Sequence, residues 1–272
     1  MRHMSVLLVM AHPDDESMGN GGMIYRHTRA GVPVDLVCAT RGGAGWGGKP
    51  VGRRPEELPE IRGEELARAA AVLGIREVEL WDYPDGDVPG CDQDEITERI
   101  AAAITRLRPA VVVGWGPDGA YGHPDHIAVG ACTDRALAAL PAELRPAAHY
   151  HMAVDRVTEA AYRRAFDEVG GDGRGLPIVG FDEVALTFVC SEDELAVKAA
   201  AINCHESQIE PWRERMDERP DLRRGVLGHD GYRRMGGPQE GETLTEGVFP
   251  ELTTSPPPPG EVAGKAGRWG AR

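Results

Sequence analysis

Residues 5–16 read Ser-Val-Leu-Leu-Val-Met-Ala-His-Pro-Asp-Asp-Glu, an apolar run that ends abruptly in polar and charged side chains. The uninterrupted apolar run at 6–10 is typical of a strand that is buried on both faces, as the strands of parallel sheets are. The polar residues 12–16 would then stand at the carboxyl end of that strand. Open α/β sheets bind ligands at this edge, so the stretch predicts both a fold class and the position of a site.

Strands and helices alternate through the first 140 residues. Apolar runs predict strands, and apolar residues at helical spacing predict the helices between them. We expect strands at 34–39, 78–81 and 110–115, and helices at 19–30, 56–73, 92–107 and 127–140. Strands that alternate with helices of this length form right-handed βαβ units. The sequence therefore predicts an α/β fold with a mainly parallel sheet.

The alternation is less regular beyond residue 140. Strands are expected at 149–154 and 184–190. Ser191 and Glu194 have the spacing of a capping box, which predicts a helix from there to about Gln208.

Two features of this second half have weaker interpretations. His149 and His151 would share one face of a strand, but the sequence offers no third metal ligand nearby, which favours a plain strand surface. The Arg-rich segment 213–234 mixes basic and acidic residues. We interpret it as a solvated surface or a mobile lid, and less readily as a clamp for an anionic substrate.

Composition sets broad limits. The chain has 272 residues, and because 41% of them are hydrophobic it can bury a sizeable core. One domain is expected over 1–252, followed by a Pro- and Gly-rich tail at 253–272 that has too little to bury and is expected to be disordered. The net charge of −14 argues against non-specific binding to nucleic acid or to an anionic membrane surface.

The sequence also indicates a cytoplasmic protein. No apolar run approaches the ~20 residues of a membrane span. The apolar residues near the start are too few for a signal peptide, and charged residues follow at once. The five cysteines are widely spaced with no Cys-x-x-Cys pair, which predicts reduced thiols.

A second polar motif, Gly122-His123-Pro124-Asp125-His126, follows the strand expected at 110–115. The carboxyl ends of parallel strands share one edge, so this motif and residues 12–16 would meet there. Two imidazoles and one carboxylate suit Zn²⁺ and leave a fourth position for water, although Fe²⁺ binds the same set. A bound metal ion lowers the pKa of such a water from ~16 to ~7. The two motifs therefore predict a site that can hydrolyse an amide.

The spacing within the motifs suggests how they divide the work. His12 and Asp15, three residues apart across a strand-to-helix turn, can converge on one ion, and Asp14 can reach a bound water without ligating. In the second motif one histidine can ligate while the other faces the substrate. Alone, either motif is more often a turn or a helix cap. Two of them at one sheet edge favour a functional site.

At these residues the chain resembles the PIG-L/LmbE-like de-N-acetylase family. Residues 11–16 match the family signature A-H-P-D-D-E in full, and residues 123–126 match its second signature, H-P-D-H. Supporting matches follow in order at Thr40-Arg41-Gly42, Arg62, Glu65, Tyr83-Pro84-Asp85-Gly86 and His205-Glu206-Ser207-Gln208. The resemblance covers roughly residues 5–210.

The resemblance implies a Rossmann-like three-layer fold and specific roles for the site residues. The implied metal ligands are His12, Asp15 and His126. The implied catalytic residues are Asp14 as general base, His123 as an imidazolium that stabilises the oxyanion, and Asp125, which tunes the charge of His123. Arg62 and Asp85 fall where the family contacts sugar hydroxyls.

The loop after the second strand departs from the family pattern. Gly43 stands where the family often has glutamate, and Trp46 follows in a Gly-rich stretch. We hypothesise that Trp46 stacks on a substrate ring, and packing of Trp46 within its own loop is an equal alternative.

The function implied is that of a zinc-dependent hydrolase that removes an N-acetyl or other N-acyl group from an aminosugar-containing small molecule or glycoconjugate. An amidase that cleaves a larger sugar or thiol conjugate is an alternative. A non-catalytic metal- or sugar-binding module is a third, and the presence of both Asp14 and His123 argues against it. The oligomeric state is left open, a homo-oligomer included.

Overall fold

The structure is a computed structural model that describes residues 3–45, 54–169, 177–208 and 218–253. The strands are β1 (His3–Met10), β2 (Val34–Thr40), β3 (Glu77–Tyr83), β4 (Pro109–Trp115), β5 (Ala148–Asp155), β6 (Gly180–Phe181), β7 (Leu186–Val189), β8 (His229–Arg234) and β9 (Glu242–Leu244). The α-helices are α1 (Asp15–Met18), α2 (Gly21–Arg29), α3 (Leu58–Leu73), α4 (Gln93–Leu107), α5 (Gly119–Gly122), α6 (Pro124–Ala139), α7 (Arg156–Val169), α8 (Glu192–Asn203) and α9 (Pro220–Leu227).

All nine described strands belong to one sheet of order β3-β2-β1-β4-β5-β8-β7-β9, with β6 paired to β5. The five strands from β3 to β5 are parallel to their neighbours. Only β8, among the described strands, runs antiparallel, and it does so against both β5 and β7. The predicted α/β class with a mainly parallel sheet is confirmed.

Helices cover the sheet in two groups. The chain passes from β1 through β2 to β3 in one direction and then returns to β4 and β5 in the other, so right-handed crossovers put the connecting helices on opposite faces. In one group α2 and α3 pack on α8, and in the other α4 packs on α6. The core lies between these layers, where the apolar side chains of β1, β2 and β4 are buried.

Several predicted boundaries are confirmed and others need correction. The capping box of Ser191 and Glu194 is present, although α8 ends at Asn203 rather than near Gln208. Helix α6 begins at Pro124 rather than at 127, because the second motif forms its first turn. Helix α7 was not expected from the sequence.

Over its described residues 218–234 the Arg-rich segment is part of the packed fold, although the side chains of Arg219 and Arg224 remain 40% and 38% exposed. It supplies α9 and the central strand β8, whose Asp230 and Tyr232 are buried. Along β8 the buried Asp230 and Tyr232 alternate with His229, Gly231 and Arg233, a two-residue period that the charge count alone does not reveal.

The remaining predictions concern the cysteines, membrane spans, Trp46 and the carboxyl-terminal tail. All five cysteines are free. Over the described ranges, no helix is both long and apolar enough to cross a membrane. Trp46 and the tail from residue 254 onward lie outside the described residues.

Candidate active site

The two sequence motifs meet at the centre of the sheet. Strands β1 and β4 are neighbours, and the chain leaves them toward opposite edges, β1 to β2 and β4 to β5. A crevice forms beyond the carboxyl ends of the strands at such a switch point. Helix α6 approaches β4 closely there, because a Cβ at Gly130 would lie 2.4 Å from the carbonyl oxygen of Trp115.

Three side chains converge in this crevice with their acceptor atoms facing one another. His12 Nδ1 lies 3.1 Å from His126 Nε2. Asp15 Oδ1 lies 3.4 Å from His126 Nε2, and Asp15 Oδ2 lies 3.8 Å from His12 Nδ1. Ligands held ~2.0–2.1 Å from a tetrahedral Zn²⁺ are themselves about 3.4 Å apart, so the spacing fits such an ion.

The outer nitrogens of both histidines face hydrogen-bond acceptors. His12 Nε2 lies 3.0 Å from Asp85 Oδ1 and 3.1 Å from Asp125 Oδ2. His126 Nδ1 lies 3.2 Å from the carbonyl oxygen of Gly119. Both outer nitrogens must therefore carry a proton. In the neutral rings this leaves lone pairs on His12 Nδ1 and His126 Nε2, the arrangement that metal-binding histidines adopt.

The charges in the crevice favour a cation at this point. Burial lowers the pKa of His12, but its hydrogen bonds to Asp125 and Asp85 raise it to about 10. Burial alone would raise the pKa of Asp15, but His126 and His12 lower it by a larger amount, so the net shift is downward. Two inward lone pairs and a carboxylate need positive charge between them, and a divalent ion or a proton supplies it.

Neighbouring groups hold these three side chains in place. The backbone N–H groups of Ala11 and His12 donate to Asp15 Oδ2 at 3.1 and 2.8 Å. The ring of Trp115 stacks on His126 with centroids 3.8 Å apart and planes 11° apart. Trp115 was not among the predicted site residues, although its position as the last residue of a buried strand was an available signal.

A second donor-atom cluster in the crevice includes His123. Suitable atoms of His12, His123 and His126 all lie within 4.8 Å of one another, as do those of His12, Asp85 and Asp125. The ring of His123 stacks on His126 at 4.6 Å, so all three histidines of the two motifs share one space.

His123 also caps α6, which determines its protonation. Its Nδ1 accepts the backbone N–H of Asp125 at 3.2 Å, so the neutral ring carries its proton on Nε2. Burial and the nearby His126 and His12 lower the pKa of His123. A protonated Nδ1 could not accept that hydrogen bond, so this contact fits a ring that carries its proton on Nε2. The imidazolium role that the resemblance implied for His123 stays a prediction.

Asp14 adopts a strained backbone beside the cluster. Its φ of 106° lies in the left-handed region, which few residues other than glycine, asparagine and aspartate tolerate. The Arg62 guanidinium donates to Asp14 Oδ2 at 3.1 Å. Burial raises the pKa of Asp14 against the lowering effect of Arg62, although 29% of the side chain remains exposed.

Arg62 is buried within the framework of the site. Besides Asp14, its guanidinium donates to the carbonyl oxygens of Pro13 and, at 2.9 Å, Gly42. A Cβ at Gly42 or Gly45 would lie 2.3 or 2.5 Å from Arg62 Nη1, so both glycines make room for this side chain. The structure therefore connects Arg62 to the first motif, and the sugar contact implied for it stays a prediction.

Asp125 and Asp85, which were expected to act on His123 and on sugar hydroxyls, both contact His12. Asp125 accepts hydrogen bonds from the backbone N–H groups of Gly86 at 2.7 Å and Val88 at 3.1 Å as well as facing His12. Its carboxylate hydrogen-bonds to His12, and its negative charge also raises the pKa of His123 against the larger lowering effects there. The tuning of His123 by Asp125 stays a prediction. Asp85 faces His12 and accepts the Ala44 N–H at 2.8 Å.

A buried network behind the first motif explains its last residue and the 205–208 segment. Glu16 Oε1 accepts from His205 Nε2 at 2.7 Å, and Glu16 Oε2 accepts the backbone N–H of Asp14 at 3.0 Å. Ser207 donates to Glu65 from both its N–H and its hydroxyl, at 2.8 and 2.7 Å. His205 thus holds the motif through Glu16, which in turn bonds the strained turn at Asp14, while Ser207 ties its segment to α3.

Contact with Pro59 explains why residue 43 is a glycine. A Cβ there would lie 2.9 Å from Pro59 Cγ, so this loop has no room for the family's frequent glutamate unless Pro59 shifts. The stacking hypothesis for Trp46 lies outside the described residues.

Comparison with known proteins gives the same assignment as the two motifs. The family model described as "PIG-L: GlcNAc-PI de-N-acetylase" matches residues 7–137. A relative from Kineococcus radiotolerans, named 1D-myo-inositol 2-acetamido-2-deoxy-alpha-D-glucopyranoside deacetylase, is 32% identical over 249 residues, which cover 75% of this chain and 68% of the relative. The chain belongs to the PIG-L family.

Solved structures show how widely the fold of this PIG-L protein is used. N,N'-diacetylchitobiose deacetylase from Pyrococcus horikoshii matches with TM-score 0.58 and 24% identity, covering 85% of this chain and 84% of that one. GalB, the 4-carboxy-2-hydroxymuconate hydratase of Pseudomonas putida, matches with TM-score 0.57 and 19% identity, covering 91% and 100%. One fold thus carries different reactions, so the function must be argued from the site.

Proposed function

We propose that this protein is a metal-dependent hydrolase that removes an N-acetyl or other N-acyl group from an aminosugar-containing small molecule. The observation that carries the proposal is the convergence of His12, Asp15 and His126 on one space, with Asp14 beside them. The names of the family model and of the Kineococcus relative support the substrate class, because both name an N-acetylated glucosamine derivative.

Three residues would hold the ion. His12 Nδ1, His126 Nε2 and a carboxylate oxygen of Asp15 form a set that suits zinc, with iron(II) as the alternative. When bound, the ion supplies Lewis acidity that polarises the acyl oxygen and makes a water more acidic. Asp85 and Asp125 orient His12 through its Nε2–H, and Trp115 fixes the plane of His126.

Asp14 would act as the general base. Its Oδ2 accepts from Arg62, and Oδ1 has no protein donor among the described residues. Oδ1 is therefore the atom that takes the proton of the attacking water and later returns it to the amine nitrogen that leaves. The backbone of Asp14 is fixed by the Glu16 carboxylate, which keeps the side chain aimed at the crevice.

His123 would stabilise the developing oxyanion. Since its Nδ1 accepts from the helix backbone, its Nε2–H is available to donate to the acyl oxygen as negative charge accumulates there. A preoriented neutral donor can perform this role without a change of protonation state.

Substrate recognition involves the loops around this crevice. Arg62 and Asp85 act in our proposal as positioning residues for Asp14 and His12, and any direct contact of either with a sugar hydroxyl stays a prediction. Stacking of Trp46 on a substrate ring predicts a lower kcat/KM for Trp46→Ala, and an unchanged value would contradict that hypothesis.

The test is amine release from N-acetylglucosamine and a panel of its glycosides, including the inositol glycoside and N,N'-diacetylchitobiose, by metal-reconstituted protein. Release that is lost on chelation and in His126→Ala, which should also lose its metal, would establish the hydrolase. Metal bound in the crevice with no release across the panel would refute the aminosugar deacetylase. It would direct attention to amide cleavage in a larger sugar or thiol conjugate. Full metal occupancy in His126→Ala would contradict the ligand assignment.

A further inference from the structure

A second cluster of histidine and aspartate side chains lies apart from the crevice. It consists of Asp134 on α6 with His149 and His151 on β5, and suitable donor atoms of all three lie within 4.8 Å of one another. Asp134 is the third partner that the sequence did not reveal, because it comes from a helix fifteen residues earlier in the chain than His149 and meets it only in the folded molecule.

The donor atoms of the three side chains lie close together. Asp134 Oδ1 lies 2.9 Å from His151 Nε2 and 3.7 Å from His149 Nε2. His149 Nε2 is buried and, among the described residues, has no hydrogen-bond partner. Burying an imidazole nitrogen without a hydrogen-bond partner is energetically unfavourable, and an ion bound between these three atoms would remove that penalty.

The environment suits entry and coordination of an ion. The side chains of His149 and His151 are 13% and 5% exposed, while that of Asp134 is 43% exposed and opens the cluster to solvent. A cavity of about 460 Å³ adjoins His149, with Leu137 and Met235 among its lining residues. Water can therefore reach the cluster and complete the coordination shell.

The cluster is separate from the proposed catalytic site. Asp134 follows His126 by eight residues in α6, which is about 12 Å along a helix axis. The three residues also differ from every side chain that the proposed hydrolysis uses.

We propose that Asp134, His149 and His151 form a second divalent-metal site that takes a zinc-class ion. Two imidazoles and a carboxylate are the donor set that Zn²⁺ binds, with water in the remaining position. Such an ion would tie α6 to β5. The first turn of α6 carries His123, Asp125 and His126, so the ion would also stabilise the helix that supports the catalytic crevice.

Metal stoichiometry tests the proposal. Untagged protein is stripped with a chelator, equilibrated with Zn²⁺ at a buffered free concentration, and its zinc content per chain is measured. We expect two zinc ions in the wild type, one in Asp134→Ala, one in His126→Asn and none in the double variant. His229→Asn, which changes a histidine outside both clusters, should keep two.

Asp134→Ala is chosen because the residue is on a helix surface, where alanine is well tolerated. Equal zinc content in the wild type and Asp134→Ala would overturn the second site. The zinc content of His126→Asn reports on the crevice and that of Asp134→Ala on the second cluster, so the failures of the two proposals are distinguishable.

A thermal measurement provides an independent check. In the His126→Asn background, added Zn²⁺ should raise Tm, because it binds only the folded cluster. The further change His149→Asn should abolish that shift. A shift that persists in His126→Asn/His149→Asn would also overturn the proposal.

Discussion

Two regions of this molecule use buried histidine and carboxylate groups in opposite ways. In the crevice, His12 Nδ1 and His126 Nε2 face each other and Asp15, so acceptors meet acceptors. Where α2 meets the carboxyl-terminal part of the chain, donors meet acceptors, as in the fully buried ion pair of Lys198 with Asp230.

We call this second region the α2 anchor and define it by the contacts of Arg26, Asp230 and His27. Arg26 pairs with Glu194 at 2.6 Å, Asp230 accepts both from Lys198 and from the Met23 N–H, and His27 bridges Met23 to Phe249. Buried polar groups whose hydrogen bonds are all satisfied stabilise one packing arrangement. Buried acceptors that lack a counter-charge, such as those in the crevice, are arranged to bind a cation. The difference teaches that the crevice should control activity and the anchor should control stability.

The largest expected effect is in the crevice. Asp14→Asn keeps the backbone conformation, since asparagine also tolerates positive φ, but removes the general base. We expect kcat/KM to fall by about 10²–10⁴-fold with metal content and Tm unchanged. Steady-state kinetics and metal analysis check this. Asp82→Asn, at an exposed aspartate that pairs with Arg41, is the matched control. A near-normal kcat in Asp14→Asn would contradict the general-base role and the control of activity by the crevice.

The next largest effect is in the anchor. Lys198→Met leaves the Asp230 carboxylate buried without its cation, which costs about 3–5 kcal/mol of unfolding free energy. Denaturant titration measures the loss, and kcat/KM of the protein that remains folded should stay near the wild-type value. Arg163→Met, which breaks an exposed ion pair with Glu159, should cost less than about 1 kcal/mol. Similar losses in the two variants would contradict the role of the anchor.

A pH-dependent loss of stability should follow from His27. Burial, with the nearby charge of Arg26, lowers its pKa to about 4 against the opposing effect of the bond to Met23. Its Nδ1–H lies 2.7 Å from the Met23 carbonyl oxygen, and its Nε2 accepts the Phe249 N–H at 3.0 Å, so the folded state needs the neutral ring.

The sign follows from the lowered pKa. Stability from His27 is fully present above the unfolded pKa of ~6.5 and is lost as pH falls toward 4, by up to about 3 kcal/mol. Unfolding free energies of wild type and His27→Gln between pH 8 and pH 4.5 check this. We expect the variant to be less stable at pH 8 and the difference to shrink as pH falls. A difference that is constant with pH would contradict the prediction.

The smallest expected effect concerns the start of α8 beside the anchor. Ser191→Ala removes the side chain that accepts the Glu194 N–H at 3.2 Å, which costs about 1 kcal/mol. In a chain of this size the loss corresponds to a Tm lower by about 2–4 °C. Calorimetry would detect it, and catalytic activity should not change. A fall in kcat would mean that the two regions are coupled.

The sequence predicts the crevice better than the anchor, and the reason is local order. His12, Asp14 and Asp15 directly follow a buried strand, so the sequence pattern alone places them together at the carboxyl end of that strand. The fold class follows in the same way, from alternating strands and helices.

Contacts between distant segments could not be predicted. The sequence suggested an effect of Asp125 on His123, its near neighbour, but gave no sign of its hydrogen bond to His12, 113 residues away. Lys198 and Asp230 read as ordinary surface charges in the sequence, since nothing local distinguishes a buried ion pair from a solvated one. The left-handed turn at Asp14 was also unpredictable, because Glu16 and Arg62 impose it from side chains whose directions depend on the whole fold.

The backbone at Asp14 also bears on how the gene tolerates mutation. Glycine and asparagine accept a φ of 106° readily, while valine and isoleucine do not. In a library of all twenty residues at this codon, the glycine and asparagine clones should accumulate as folded protein without turning over substrate. Selection for protein abundance and selection for growth that depends on converting the substrate would therefore retain different residues at this one position.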